Sequence, residues 1–285
     1  MVLEHLFSSK RIEHSPWLVA LMAFMFVTIA VSLINLFIYS PDPNQNTTTN
    51  GLFIITLVVM PAIPFFLHEI ILEERKQECR TRGNILECYN RLIKFYGYFF
   101  IGTVLGFAFC AALLPEDVSD RMFSVQKDEI NLFTSINPQI TLLGGGFDSI
   151  FFHNLEVLFL MLMFSFIYSI GSIFLLVWNA SLVGLFLEQY IRSSIVSYSQ
   201  YGILGFPTAF IVGSLNGLLR LLPHGIFEIS AFFIASIAGG ILSISIERRM
   251  YRPSNFRNIF LDATKLLVLS ITLLAIGAFI ESSYI

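Results

Sequence analysis

Charge is scarce in this chain. Asp, Glu, Lys and Arg make up 13% of its 285 residues, and the formal net charge is −3. So few charges cannot solvate the surface of a soluble domain of this length, and the slightly acidic balance excludes the basic footprint that nucleic-acid binding requires. Cysteine is scarce too. Cys79, Cys88 and Cys110 form neither a metal-ligand spacing nor a disulfide framework, and the first two fall in a charged segment expected to face a reducing compartment. Free thiols and no cofactor are the expectation. No phosphate-binding glycine loop and no Ser-centred nucleophile elbow occur, so the chain cannot power work from nucleotide by itself. The apolar run from Trp17 is too long for a signal-peptide core and lacks a small-residue cleavage site, so no cleavable leader is expected.

What the chain has in quantity is hydrophobic side chains, at 55% of residues with a mean hydropathy of +0.75. These values predict an all-α polytopic transmembrane helix bundle in the plasma membrane. Its 30 Phe against 2 Trp mark the aromatics mainly as lipid-facing and interhelical bulk. Apolar spans are expected at about 17–39, 52–72, 95–114, 152–177, 203–222, 225–246 and 260–281. A continuation through 178–190 is read as a broken helix or re-entrant segment. Pro223 and Gly225 leave almost nothing between the fifth and sixth spans, which predicts a tight helical hairpin there.

The positive-inside rule orders these spans. Residues 73–94 hold Arg75, Lys76, Arg80, Arg82, Arg91 and Lys94, and residues 247–258 hold Arg248, Arg249, Arg252 and Arg257. Residues 115–150 carry six acidic residues against Arg121 and Lys127. Seven spans with the N-terminus inside and the C-terminus outside place both basic segments inside and the acidic one outside. The expected organisation is an N-terminal three-span region over 1–150 with an extracytoplasmic loop at 115–150, a membrane core over 151–250, and a C-terminal span over 251–285, all in one membrane domain.

Polar groups within such apolar segments are expensive and need a reason. His224 and Glu228 are four apart, on one helical face. Pro223 suits a helix start, and the N-terminal dipole there disfavours a protonated His224. This pair either locks the fold internally or serves a ligand or partner. His153 and Glu156, three apart, open the fourth span beside Asn154 and are expected at the same membrane side, so the two His/Glu pairs can meet. Two His and a carboxylate suit zinc, but no spacing demands it. Asn179 and Asn216 lie beside Ala180 and Gly217, and are expected to hydrogen-bond across closely packed helices. Two apparent motifs fail. His68-Glu69-Ile70-Ile71-Leu72 has Leu where a zinc-protease motif needs its second His, and Glu73-Glu74 lacks the Arg of an EExxxR motif because position 78 is Glu.

Three elements together resemble one family: Ile150-Phe151-Phe152-His153-Asn154-Leu155, Trp178-Asn179-Ala180-Ser181-Leu182-Val183-Gly184, and Leu222-Pro223-His224-Gly225-Ile226-Phe227-Glu228-Ile229-Ser230-Ala231. The stage II sporulation protein M family carries a hydrophobic-Asn-Leu start, an Asn-Gly followed by a second Gly, and Pro-His-Gly-x-x-Glu with Ala three beyond the Glu. Asn154, Asn179, Gly184, Pro223, His224, Gly225, Glu228 and Ala231 fall on that pattern. Ala180 departs from it, standing where the family usually has Gly. The resemblance covers roughly 150–250. It implies a multi-spanning membrane protein, which in spore-forming bacteria acts as a scaffold with a cell-wall hydrolase and another membrane protein during engulfment.

The leading expectation is a non-enzymatic membrane scaffold in the lipid bilayer. It would hold other membrane or envelope proteins, with homo-oligomerisation allowed. Its candidate binding or buried polar cluster comprises Pro223, His224, Gly225, Glu228, His153, Asn154, Glu156 and Asn179. The alternatives are an intramembrane hydrolase, metal-dependent or not, using the His/Glu pairs, and a permease subunit with Glu228 as its ion site. A closed, hydrogen-bonded Glu228 favours the scaffold.

Overall fold

A computed structural model describes residues 16–37, 48–75, 87, 89–131, 146–168, 170–247 and 253–284. Among these residues there is helix and no strand. The order is α1 (Trp17–Phe37), α2 (Thr48–Arg75), α3 (Asn90–Leu113), α4 (Glu116–Met122), α5 (124–131), α6 (Phe147–Tyr168), α7 (Ser172–Tyr198), a 3₁₀ turn (Ser199–Leu204), α8 (Gly205–Glu247) and α9 (Pro253–Tyr284). In hydrocarbon every backbone N–H and C=O needs an internal partner, and a helix provides it within one segment. Six apolar helical stretches are long enough to cross a membrane. The fifth, Ser172–Ile246, contains both α7 and α8. The protein is thus an all-α polytopic membrane protein.

Small residues set how the helices meet. α1 runs parallel to α3, with Trp17 edge-on to Tyr98 at 5.0 Å and Phe24 against Phe109 at 5.5 Å. Gly102 and Gly106 permit this approach: a Cβ on Gly102 would overlap the Ala20 backbone, and one on Gly106 would lie 2.8 Å from Val27 Cβ. α2 runs antiparallel to α3 and inserts Phe66 edge-on among Phe95, Tyr96 and Phe99, each 4.8 Å away. α7 is parallel to α3, with Gly184 seated on Phe107 and the Val104 carbonyl. α8 returns antiparallel along α7, where Gly213 meets Ile191 and Gly217 meets Leu187.

The second half of α8 has different neighbours. Ser165 of α6 donates to the Ser236 carbonyl at 2.6 Å, and Gly239 packs on Leu162 and Ser165. α9 runs back along this half, with Gly277 against Glu228. One large apolar core joins α1, α2, α3, α7, α8 and α9, while a smaller one of Leu158, Met161, Ala231, Phe232, Ala235 and Leu274 lies under α6.

Three expectations are corrected. The hairpin expected at Pro223–Gly225 does not form, and Pro223 lies inside the 43-residue α8. A proline in a membrane helix loses one backbone bond, which neighbouring helices tolerate, so it marks no turn here. The reversal falls instead at the 3₁₀ turn, where Gly202 adopts φ 57° and ψ −126°, a conformation closed to other residues at low cost. Likewise, 178–190 neither re-enters nor breaks; it is the middle of the continuous α7. Finally, the fourth helix ends at Tyr168, so a short break at Ile170–Gly171 separates α6 from α7 within the span expected at 152–177.

Two glycine substitutions separate contact from backbone strain. Gly102→Ala forces α1 off α3 and should cost about 1–3 kcal/mol. Gly202→Ala meets nothing within 4 Å but strains the turn by about 1–3 kcal/mol. Gly146→Ala, which also meets nothing and has no positive φ, should be neutral. Thermal unfolding of the three variants in detergent checks the order.

Candidate functional site

The polar residues of the apolar helices converge at one interhelical junction. Asn154, on the second turn of α6, donates its Nδ2 to Glu228 Oε1 of α8 at 2.8 Å. Glu281, near the end of α9, brings a second carboxyl group within hydrogen-bonding reach of Glu228. The approach of α9 depends on Gly277, where a Cβ would lie 2.9 Å from Glu228 Cγ and 3.4 Å from the His224 carbonyl oxygen. Three helices are thus tied through one half-buried carboxyl group, joining residues 74 apart in sequence for the Asn154 bond alone.

The remaining candidates fall elsewhere. Adjacent helical residues diverge by about 100°, so Asn154 can face α8 while His153 does not. His153 and Glu156 are exposed on the outer side of α6. His224 is half-buried one turn before Glu228, and Gly225 is buried beneath Leu221. The two His/Glu pairs, which the sequence allowed to meet, do not come together; Asn154 reaches Glu228 in place of His153 or Glu156. Asn179 also departs from expectation. Its Nδ2 donates to the Leu175 carbonyl of its own helix at 2.8 Å, not across to another helix. Asn216 is exposed. Among the described residues, no three His, Cys, Asp or Glu side chains come together as a metal-ligand group.

Other polar junctions escaped the sequence reading. Glu188, 2% exposed, pairs with Arg192 one turn on and lies 3.6 Å from Lys127 of α5. Arg192 Nη2 also donates to the carbonyls of Ala111 and Leu114 at 2.7 and 2.9 Å, answering orphan acceptors at the end of α3. Lys127 continues to Asp120 at 2.7 Å. At the other end of α3, Arg91 grips the buried Glu69 through two bonds of 2.8 and 3.1 Å. The Glu188/Arg192 spacing within an apolar run was a readable signal for an internal ion pair. Glu281 offered only an acidic residue at the end of the last apolar run.

The family described as Stage II sporulation protein M matches residues 95–284, from α3 through α9, a wider region than the 150–250 in which the motifs are legible. An uncharacterised protein of Methanocaldococcus jannaschii is 31% identical over 148 residues, covering 48% of this chain and 68% of its own length. No solved structure matches.

The two junctions should differ in energetic weight. Asn154→Leu removes one interhelical hydrogen bond and should cost about 0.6–2 kcal/mol. Arg192→Met leaves Glu188 buried with only the more distant Lys127, and should cost about 3–5 kcal/mol. Unfolding midpoints in the same detergent compare them; equal losses would count against this assignment.

Proposed function

The chain belongs to the stage II sporulation protein M family, and on that premise we propose that it is a non-enzymatic multi-pass membrane scaffold that positions partner membrane or envelope proteins. The observation that carries this reading is the closure of Glu228. Its carboxyl group accepts from Asn154, has Glu281 close by, and is covered by the close approach of Gly277. A group held in this way fixes three helices relative to one another. The two His/Glu pairs lie apart, which gives a hydrolytic mechanism no assembled acid, base and ligand set.

The Glu228–Glu281 contact favours a second reading, in which this carboxyl pair is the proton or cation site of a permease subunit. Glu228→Gln separates the two. It keeps the shape and can still accept from Asn154, so a scaffold should retain its partners after crosslinking in native membranes and affinity purification. Gly277→Leu, which prises α9 from α8, should lose them. Loss of partners from both variants together with loss of an ion flux from Glu228→Gln would support the permease reading instead.

For orientation, the basic segments 73–94 and 247–258 belong inside and the acidic α4–α5 region outside. A membrane-impermeant maleimide should then label Cys79 and Cys88 in inverted vesicles but not in intact cells. The reverse pattern would overturn the orientation.

A further inference from the structure

Arg220 is the one Lys or Arg between Arg192 and Arg248, and it stands exposed on the first half of α8. Among the described residues it makes no ion pair or hydrogen bond; its guanidinium lies over the ring of Tyr190 of α7, 5.7 Å from the centroid. That contact offsets part of the cost of a charge in an apolar helix, but it leaves five N–H donors without an acceptor. Asn216, one turn earlier on the same face, is also exposed. The depth of this pair follows from the packing. Gly213 meets Ile191 of α7, and the next residue, Arg192, reaches the last carbonyls of α3. Glu116 and Asp117 of α4 follow directly, so this level marks a membrane surface. Arg220 lies seven residues further along α8, about 10 Å deeper at its Cα. Side chains of a helix tilt toward its N-terminus, which for α8 is the end at that surface. The Tyr190 ring beneath the guanidinium also packs on Gly217, three residues nearer the surface, where a Cβ would lie 3.2 Å from it. Arg220 therefore snorkels outward and delivers its charge to the headgroup layer.

We propose that Arg220, Asn216 and Tyr190 form a headgroup site for an anionic membrane phospholipid on the α7–α8 face. Charge and depth together select this occupant. A planar guanidinium takes two phosphate oxygens side by side, and the Asn216 amide one turn above supplies a further donor. The Tyr190 hydroxyl, which makes no hydrogen bond among the described residues, completes the polar rim. On the deeper side the flank is aliphatic: Leu219, Leu222 and Ile226 are all exposed along α8. That flank suits acyl chains, whereas a soluble anion at Arg220 would stand against hydrocarbon with no water to solvate its other oxygens. The Asn154–Glu228 clamp lies two turns further along α8 and takes no part, so the site does not depend on the scaffold reading.

The test uses the full chain with Cys79, Cys88 and Cys110 replaced by Ser, Ser and Ala. A fluorophore is attached at Leu219→Cys or, as a control exposed at similar depth on α1, at Ile29→Cys. Each protein enters phosphatidylcholine vesicles doped with phosphatidylglycerol or phosphatidylcholine carrying brominated acyl chains, which quench on contact. At Leu219→Cys the phosphatidylglycerol should reach half-maximal quenching at about fivefold lower mole fraction than the phosphatidylcholine, and at Ile29→Cys the two should be equal. Arg220→Leu should abolish the preference while keeping the parent unfolding midpoint in detergent. Tyr190→Phe, which keeps the ring under the guanidinium and removes only the hydroxyl, should weaken the preference by a smaller step. Inorganic phosphate, matched in ionic strength by chloride, should leave it unchanged. Equal quenching by the two lipids at Leu219→Cys overturns the proposal. So does the same preference at Ile29→Cys, an undiminished preference in either variant, or a selective loss in phosphate, which would assign the site to a soluble anion.

Discussion

A carboxyl group inside an apolar helix has no water to accept from, and much of this structure follows from how four glutamates meet that constraint. Glu69 is held by the guanidinium of Arg91, and Glu188 by Arg192 with Lys127 nearby. Glu228 is held by Asn154, with Glu281 close by. These solutions tie α2 to α3, α7 to the end of α3 and to α5, and α8 to α6 and α9. Glu156 alone of the four is answered by nothing in the described chain. The internally satisfied groups specify the bundle, and the remaining one points outward from it.

Helix class was legible because apolar runs of crossing length carry it directly, whereas the division of 151–246 into separate helices was not. Chain reversals were less legible. Pro223 looks like a breaker in sequence, but a proline removes one hydrogen bond and the surrounding helices keep α8 continuous. The true reversal depends on a positive φ at Gly202, one glycine among 18. The site was half legible. Glu228 and Asn154 stood out as polar groups in apolar helices, yet which of His153, Asn154 and Glu156 faces α8 depends on helix rotation, which near-uniform hydrophobicity on every side of α6 conceals. Glu281 and Gly277 lay outside the recognised motifs and joined the site only through the packing of α9.

The family signature acquires a physical meaning from this packing. Asn154 and Glu228 bond to each other across α6 and α8. Gly184 lets α7 rest on α3, and Ala231 is buried in the smaller core beneath α6. Ala180, where the family usually has Gly, is fully buried here, so its methyl group is accommodated within the main core. Each of these positions acts at an interhelical contact, and none needs a bound substrate to explain its residue type. That pattern suits a protein whose product is a fixed arrangement of helices.

The length of α8 gives this arrangement its one mechanical asymmetry. At 43 residues it is about twice what a crossing requires, and its halves serve different neighbours: Gly213 and Gly217 pack on α7, whereas Glu228, Ser236 and Gly239 meet α6 and α9. Pro223 lies between those halves and removes the N–H that would bond back to the Leu219 carbonyl, which leaves the softest point of the helix at the junction of the two packs. The Asn154–Glu228 bond begins little more than one turn beyond it. The polar clamp is thus set close to the backbone position that lacks a helical hydrogen bond. The clamp and the small-residue contact at Gly277 together fix α6 and α9 on this half of α8, so the densest polar element of the sequence lies where the second pack begins.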